Sequence, residues 1–554
     1  MLLVGGPDLV SLGEAVLGFD NADKRGAMYL HEQLHRSLRD GVLPTFDDHQ
    51  LFPVGIGLAP LNGYNSVEMW VSGLFRLFLP WPTWFNLAHL AFLPLNLLGF
   101  LPLGLRLFVG LSPALAAGTA WALSPWYLHE IAAGRLTQVV LFALPLAVWA
   151  WLGVMEQGRP RDRVWAGVSL GLLGISFWYY AYFLLLLLPV FLLVRRRPLA
   201  AIARDTVIAG GIALLTAGPL LLAVLWPRII GDEAPMPPAG MLLHTRHYDS
   251  ALQLSGPQPD GLDGAFPWVL APGLVLGLLF ARRRGLWLVL TLLCLVAALG
   301  PFQRVGATLY RLPYAVVWEH LPLLARMTNP GRWTAILMLP LWILCVEGLL
   351  GFLRLPRLGR REQFHRRAHL CWLVPFLAVV QTQRSGNLHL GHYDPGPPPL
   401  WAAVAEQAEG ALIVVPVLFD AEACGWALFH GQPMLGGMVS SLPWAWPASF
   451  RERVEANGLL MQLYGLGAAR DGALKLHQDD LQALRDDGFR HVVWDSNSWA
   501  RVRPERRTPD PLARLREALG PPRYEDPMGA WWDLPAIGAP GASEGPVGLR
   551  LPEP

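Results

Sequence analysis

Charged residues are scarce in this chain. Asp, Glu, Lys and Arg make up 16% of its 554 residues, whereas 53% of the residues are hydrophobic. Soluble proteins carry about 25% charged residues, so the composition excludes an ordinary soluble enzyme of this length. The formal net charge of +2 provides no basic surface for nucleic acid. The excess of apolar residues predicts an integral membrane protein.

Cysteine is also scarce. The four cysteines, Cys294, Cys345, Cys371 and Cys424, lie far apart, and three of them fall inside apolar runs. This spacing excludes a disulfide framework and a paired-cysteine metal site. The N-terminus lacks a basic segment and a cleavage pattern, so it does not predict a signal peptide.

Long apolar runs, in contrast, are abundant. A helix that spans a bilayer needs about 20 mainly apolar residues, and runs near this length predict ten or eleven spans. The runs are 84–105, 111–127, 137–154, 164–178, 179–194, 207–226, 267–281, 286–302, 333–353 and 370–382. The aromatic residues of 177–180 predict a tight turn between the fourth and fifth runs.

The positions of arginine predict the orientation, because cytoplasmic loops retain positive charge. Arginines cluster at 159–163, 195–204, 282–284 and 354–367, in alternate connections between the runs. The topology that satisfies them all puts residues 1–83, 128–136, 227–266, 303–332 and 383–554 on the extracytoplasmic side of the membrane. An even number of spans leaves both termini outside, and a first helix missing from the start of the chain would repair this parity.

These runs divide the chain into four predicted parts. Residues 1–83 form an extracytoplasmic first loop with amphipathic helices, and residues 84–382 form the transmembrane domain. Residues 383–535 alternate strand-like and helix-like segments, which predicts a soluble extracytoplasmic α/β domain. The Gly- and Pro-rich residues 536–554 predict a disordered tail.

The first loop contains a helix-like segment, residues 27–38. Ala27, Leu30, Leu34 and Leu38 form an apolar stripe at helical spacing, which predicts a helix that lies along the membrane interface. Asp20 and Asp23 precede this segment, and Asp47, Asp48 and His49 follow it.

Several segments resemble a known family. They are the acidic first loop, the amphipathic helix with its LRDGVLP end (38–44), SPWYLHEIAAGRLTQ (124–138), LPLLARMTNPGRW (321–333) and LFHGQPMLGG (428–437). Together they resemble the membrane glycosyltransferases of the GT-C type, which use polyprenyl-phosphate sugars. The resemblance implies a bacterial inner-membrane enzyme with a GT-C-like fold, a polyprenyl-phosphate-linked donor, and a glycan, lipid or protein acceptor.

Transfer of a sugar from a lipid phosphate requires a base for the acceptor hydroxyl and positive charge for the departing phosphate. Asp20 and Asp23 are the candidate bases, and capping of the following helix is the alternative role for either carboxylate. Arg326 and Arg332 are candidate phosphate ligands, because guanidinium binds phosphate bidentately. Anchoring at the membrane interface is their alternative role. Four further polar residues at the outer ends of two spans are candidates for the donor site: His129, Glu130, Arg135 and Gln138.

Two groups are candidate ligands for a divalent metal such as Mg or Mn. Asp47, Asp48 and His49 combine carboxylate and imidazole, although such a cluster is also typical of a solvated turn. His244, His247 and Asp249 belong to an H-x-x-H-Y-D pattern that recurs at 389–394. Chance recurrence of polar residues beside the membrane is the alternative interpretation.

Three other functions remain open. His31, Glu32 and His35 match H-E-x-x-H, the zinc-binding pattern of metalloproteases, but the sequence offers no identifiable third ligand. A transporter or flippase for a lipid-linked saccharide would share the predicted topology, although it would be expected to have polar residues at mid-membrane. A non-catalytic assembly protein would tolerate the loss of every acidic residue in the loops.

Overall fold

The computed structural model describes residues 12–42, 46–57, 66–229, 271–305, 308–321, 330–355, 367–384, 392–394, 396–418, 423–437, 446–466, 474–502 and 508–536. The chain divides into two compact units. Unit one consists of residues 1–19, 65–222 and 237–393, and unit two of residues 20–64, 223–236 and 394–554. Most of the first loop therefore belongs to the same unit as the C-terminal residues.

The described structure is mostly helical. The helices are α1 (Ala22–Arg39), α2 (Ser66–Arg76), α3 (Thr83–Leu107), α4 (Leu111–Ala122), α5 (Pro125–Ala132), α6 (Leu136–Val139), α7 (Ala143–Glu156), α8 (Pro160–Ser176), α9 (Trp178–Leu187), α10 (Leu199–Ile229), α11 (Ala271–Phe280), α12 (Arg284–Ala298), α13 (Tyr314–His320), α14 (Trp333–Leu353), α15 (Leu373–Arg384), α16 (Pro399–Gln407), α17 (Ala427–His430), α18 (Ala448–Ala456), α19 (Gly458–Leu466), α20 (Gln478–Asp486), α21 (Ser496–Arg501) and α22 (Pro511–Leu519). Short 3-10 helices occupy Leu188–Val194, Pro330–Arg332, Ala368–Trp372 and Ala423–Trp426.

The strands are β1 (Val16–Leu17), β2 (Phe46–Asp47), β3 (Ile56–Gly57), β4 (Phe302–Val305), β5 (Thr308–Arg311), β6 (His392–Tyr393), β7 (Ala411–Val415), β8 (Phe489–Asp495), β9 (Tyr524–Asp526) and β10 (Gly529–Asp533).

The ten apolar runs all contain helix. In the described part of the chain, four helical segments are long and apolar enough to cross a membrane: Thr83–Leu107, Leu136–Glu156, Leu199–Leu220 and Pro330–Leu353. Several other runs form shorter helices because the backbone breaks inside them. Pro125 starts α5 and divides the run 111–127, since proline has no N–H to continue the preceding helix. A break at Phe177 separates α8 from α9, within the predicted turn.

Small residues allow close packing in unit one. Gly273 and Gly277 in α11 follow the small-x-x-x-small pattern of membrane helix contacts, and both face α14. A Cβ atom added to Gly348 in α14 would lie 2.2 Å from the backbone N of Gly277. The two helices therefore approach each other at a distance that only glycine permits.

The arginines used to predict orientation are partly neutralised in unit one. Glu156, at the end of α7, lies 2.9 Å from Arg283. Asp205, which is fully buried, lies 3.0 Å from Arg163 and 2.7 Å from Arg197. These clusters thus also hold the ends of neighbouring helices together.

Unit two contains a four-stranded sheet in the order β7-β8-β10-β9, in which β7 and β8 are parallel and the other pairs are antiparallel. Residues 433–436 lie beside β7, where Leu412 N–H donates to Pro433 O at 2.8 Å. The first loop lies beside that segment in turn, because Leu51 N–H donates to Gly436 O at 3.0 Å. The first loop, residues 433–436 and strand β7 therefore lie side by side in unit two.

Helix α1 packs inside unit two. Met28, Tyr29, His31 and Leu34 are almost completely buried, whereas Leu38 is 41% exposed. The helix contacts the Ala423–Trp426 segment and α17. Of the four residues in the predicted apolar stripe, only Leu34 is buried, Ala27 and Leu30 are partly buried, and Leu38 is exposed. The helix is therefore packed into unit two mainly by neighbours of the stripe, and its position at a membrane interface stays a prediction.

Candidate functional site

A tight turn brings two of the candidate polar residues together in unit one. Gly134 adopts a φ of +73°, a left-handed conformation that glycine accepts without strain. The chain reverses there, and the Arg135 N–H donates to the carbonyl oxygen of Glu130 at 2.9 Å. The Arg135 guanidinium lies 3.6 Å from the buried Glu130 carboxylate. Helix α6 begins directly after this turn.

His129 lies in α5, directly before Glu130. Burial, together with the positive charge of Arg135, lowers the pKa of His129 to about 4. The imidazole is therefore neutral near pH 7 and adds no charge to the group. Its Nε2 atom is buried and has no hydrogen-bond partner among the described residues. The ring of Phe19, also in unit one, lies 6.3 Å from the His129 ring.

Arg332 is held against two aromatic rings. Its guanidinium carbon lies 5.3 Å from the Phe177 ring centroid and 4.9 Å from that of Tyr179, both within the range of a cation–π contact. Its Nε atom is buried and has no hydrogen-bond partner within the described ranges. A buried guanidinium N–H without an acceptor requires an explanation, and binding of an anion supplies one.

Tyr180 connects Arg332 to the turn at Glu130. Its hydroxyl donates to the carbonyl oxygen of Gln138 at 3.2 Å, and the side chain interacts electrostatically with Glu130 and Arg332. The structure thus gathers predicted residues from α5, α6 and the start of α14 around a tyrosine that the sequence did not single out as functional. Two guanidinium groups and one carboxylate leave one excess positive charge, which suits a phosphate.

Asp20 lies in unit two, at the start of α1. Its carboxylate accepts two hydrogen bonds from Arg25, at 2.8 Å from Nε and 2.6 Å from Nη2. The cap of α1 is Asn21, whose side chain accepts from Lys24 N–H, so capping does not account for Asp20. Burial lowers the pKa of Lys24 to about 7, although the charge of Asp20 opposes this shift. Asp23 lies in the first turn of α1, and its side chain is outside the described residues.

The Asp47 group has donor atoms within 4.8 Å of one another, but its hydrogen bonds do not fit a metal ion. The buried Asp47 carboxylate accepts from Tyr29 Oη at 2.8 and 2.9 Å, from His49 N at 2.9 Å and from Gln50 Nε2 at 2.7 Å. Asp48 is exposed and lies 2.7 Å from His49 Nδ1. A cation at Asp47 would have to displace these donors, so the carboxylate has a structural role.

The H-E-x-x-H residues do not form a zinc site in the described part of the chain. His31 is buried in unit two, and the Glu32 carboxylate is 3.3 Å from Arg36 in an ion pair. The only group of three candidate ligand residues in the described ranges is Asp47, Asp48 and His49. The arrangement therefore gives the metalloprotease interpretation no third ligand.

Other predicted residues lie outside the described residues: Arg326, His244, His247 and Asp249. In the second H-x-x-H-Y-D copy, His392 and Tyr393 form β6, which pairs with β1. Asp394 accepts a hydrogen bond from Gly396 N–H at 2.8 Å. His392 and Tyr393 therefore pair with a strand from the start of the chain, and Asp394 stabilises a turn.

No protein-family model and no curated protein matches the chain. Its structure is similar to that of the oligosaccharyltransferase AglB from Archaeoglobus fulgidus in complex with an inhibitory peptide and a dolichol-phosphate, with a TM-score of 0.46 and 13% identity over 94% of this chain and 70% of that chain. For the Archaeoglobus fulgidus enzyme tethered with an acceptor peptide containing the NVT sequon, the TM-score is 0.47, with 13% identity over 96% and 71% of the two chains. For the complex of the same enzyme with Zn and sulfate, the TM-score is 0.44, with 12% identity over 86% of this chain and 64% of that chain. Matches at these TM-scores and identities assign no residue roles or substrate to this chain.

Proposed function

We propose that this chain is a multi-pass membrane glycosyltransferase of the GT-C type. It would transfer a sugar from a polyprenyl-phosphate donor to an acceptor on the extracytoplasmic side of a bacterial inner membrane, where unit two also lies. The observation that carries the proposal is the group around Arg332 in unit one. It combines a buried guanidinium N–H that lacks an acceptor, an excess of positive charge and a flanking set of apolar helices, which together suit a lipid phosphate.

The proposed reaction is a direct displacement at the anomeric carbon. The acceptor oxygen forms a bond to that carbon, and the bond from the carbon to the phosphate oxygen breaks. The polyprenyl phosphate leaves with the electron pair, and Arg332, with Arg135, offsets its charge. The acceptor proton passes to a carboxylate, for which Asp20 and Asp23 are the candidates. The Asp47 group does not fit a metal, and the second candidate group, His244, His247 and Asp249, lies outside the described residues, so this scheme is written without a metal-dependent step.

The test is a transfer assay with the full chain in lipid nanodiscs. A panel of labelled polyprenyl-phosphate sugars supplies donors, and product formation is compared for wild type and Arg332→Ala. A charge-assisted hydrogen bond is worth about 1.5–3 kcal/mol, so kcat/KM for the donor should fall by about 10- to 150-fold. Arg161→Ala is the matched control, because the Arg161 side chain is 62% exposed.

Two results would contradict the proposal. One is an Arg332→Ala protein that transfers sugar as well as the Arg161→Ala protein does. The other is a wild-type protein that transfers no sugar in nanodiscs but moves the labelled donor across the bilayer of sealed proteoliposomes, which would favour a flippase.

A further inference from the structure

Arg25 is the residue that fixes Asp20. The two atoms of its guanidinium fork bind the two carboxylate oxygens, in the bidentate geometry that gives arginine–carboxylate pairs their directional specificity. A carboxylate offers about four acceptor positions, so the two hydrogen bonds from Arg25 leave other acceptor positions on Asp20 open. The Asp20 side chain is 38% exposed, and an acceptor group can approach it from solvent.

C-terminal residues of unit two hold Arg25 in turn. Its guanidinium carbon lies 4.6 Å from the ring centroid of Trp426. A Cβ atom on Gly425 would come within 2.4 Å of the Arg25 Cβ atom, so the backbone packs directly on the arginine stem. The Arg25 side chain is 6% exposed, which leaves it little freedom to adopt another rotamer.

A buried carboxylate interacts with the same arginine. Asp495, at the end of β8, is completely buried and interacts electrostatically with Arg25. Its own position is set by Ser498, whose N–H and hydroxyl donate to Oδ2 at 2.9 and 2.6 Å. The arginine therefore contacts a π face and lies in the field of two acidic groups, all within unit two.

We infer that Arg25 is a positioning residue for Asp20, and that Trp426 and the backbone at Gly425, both in the C-terminal segment, set the orientation of the Asp20 carboxylate through it. This inference rests on the proposed function, which makes Asp20 a candidate base. It assigns the C-terminal residues a part in the reaction itself, because a reacting group displaced by about 1 Å can lose on the order of 100-fold in rate.

The experiment compares two tryptophan–arginine pairs in the same unit. Trp426→Leu removes the ring beneath Arg25, and Trp446→Leu removes the ring that lies 5.6 Å from Arg451. Both tryptophans are almost fully buried, so the substitutions carry similar packing costs. Trp426→Phe keeps a π face for Arg25. Sugar transfer, kcat, KM and the thermal midpoint are measured for each full-length variant.

We expect Trp426→Leu to lower kcat by about 10- to 100-fold with little change in KM, and Trp426→Phe to restore most of it. Trp446→Leu should leave kcat near the wild-type value despite a similar loss of thermal stability. Arg25→Gln should reproduce the fall in kcat.

The inference and the proposed function fail in different ways. If Asp20→Asn abolishes transfer but Trp426→Leu and Trp446→Leu have the same kcat, the inference is overturned and Asp20 remains the base. If Asp20→Asn retains full transfer, the assignment of Asp20 as base is wrong, and the positioning role falls with it. Absence of transfer by the wild-type chain with every donor would reject the proposed function.

Discussion

The hydrogen bonds of Asp47 predict a large loss of local stability when its carboxylate is removed. In Asp47→Ala, the Tyr29 hydroxyl and the Gln50 amide lose their Asp47 acceptor, and both side chains are buried. Removal of an acceptor costs about 1–3 kcal/mol for each buried donor, so the two should cost about 2–6 kcal/mol. The hydrogen bond from the backbone N–H of His49 is only partly buried, so its loss adds little.

Hydrogen exchange measured by mass spectrometry on residues 46–57 provides the assay. A loss of 2 kcal/mol corresponds to about 30-fold faster exchange where local opening controls it. Asp526→Ala is the matched control, because Asp526 also accepts from a tyrosine hydroxyl and two backbone N–H groups but is only partly buried. Water can replace its carboxylate, and residues 524–530 should lose about 1 kcal/mol.

The same assay tests the alternative role of Asp47 as a metal ligand. If hydrogen bonds hold the segment, a chelator should leave the exchange of wild-type residues 46–57 unchanged. A chelator effect as large as that of Asp47→Ala would refute this reasoning and restore the metal site.

Two further predictions concern other parts of the chain. Gly348→Ala should destabilise unit one by about 1–3 kcal/mol through the clash with Gly277, and the thermal midpoint should fall well below that of Gly210→Ala, whose added Cβ meets nothing within 4 Å. Burial lowers the pKa of His430 to about 3, so acidification from about pH 6.5 towards pH 3 charges this residue more readily in the unfolded state. Stability should therefore fall with pH by on the order of 4 kcal/mol. His430→Phe keeps a ring against Trp401, and its free energy of unfolding, measured with urea, should lack the pH-dependent loss that His430 causes. If the free energy of unfolding depends on pH equally in both proteins, His430 is not the source of the loss.

Local patterns in the sequence predicted many of the elements. The run 333–353 coincides with α14, and the aromatic residues at 177–180 mark the break between α8 and α9. Each of these features depends on neighbours within a few turns, so periodicity and turn chemistry suffice to identify them.

The candidate site was less accessible to such patterns. Arg332 and Glu130 are candidates from the sequence alone, but the aromatic residues that contact Arg332 predict only a turn. Asp20 was named, whereas its partner Arg25 lies five positions further, outside the usual i+3 and i+4 pairing. Trp426 carried no local signal, because its contact with Arg25 joins distant parts of the chain.

The sequence by itself determined that this chain is apolar enough for a membrane protein, where its helices lie and which acidic and basic side chains are candidates for chemistry. These properties follow from composition and from the chemistry of short segments. Only the tertiary structure decided that α1 is buried among C-terminal residues, that Asp47 is saturated with hydrogen bonds and that Arg25 binds Asp20. Such contacts depend on which distant parts of the chain pack against one another, and patterns in a single sequence do not predict these long-range contacts.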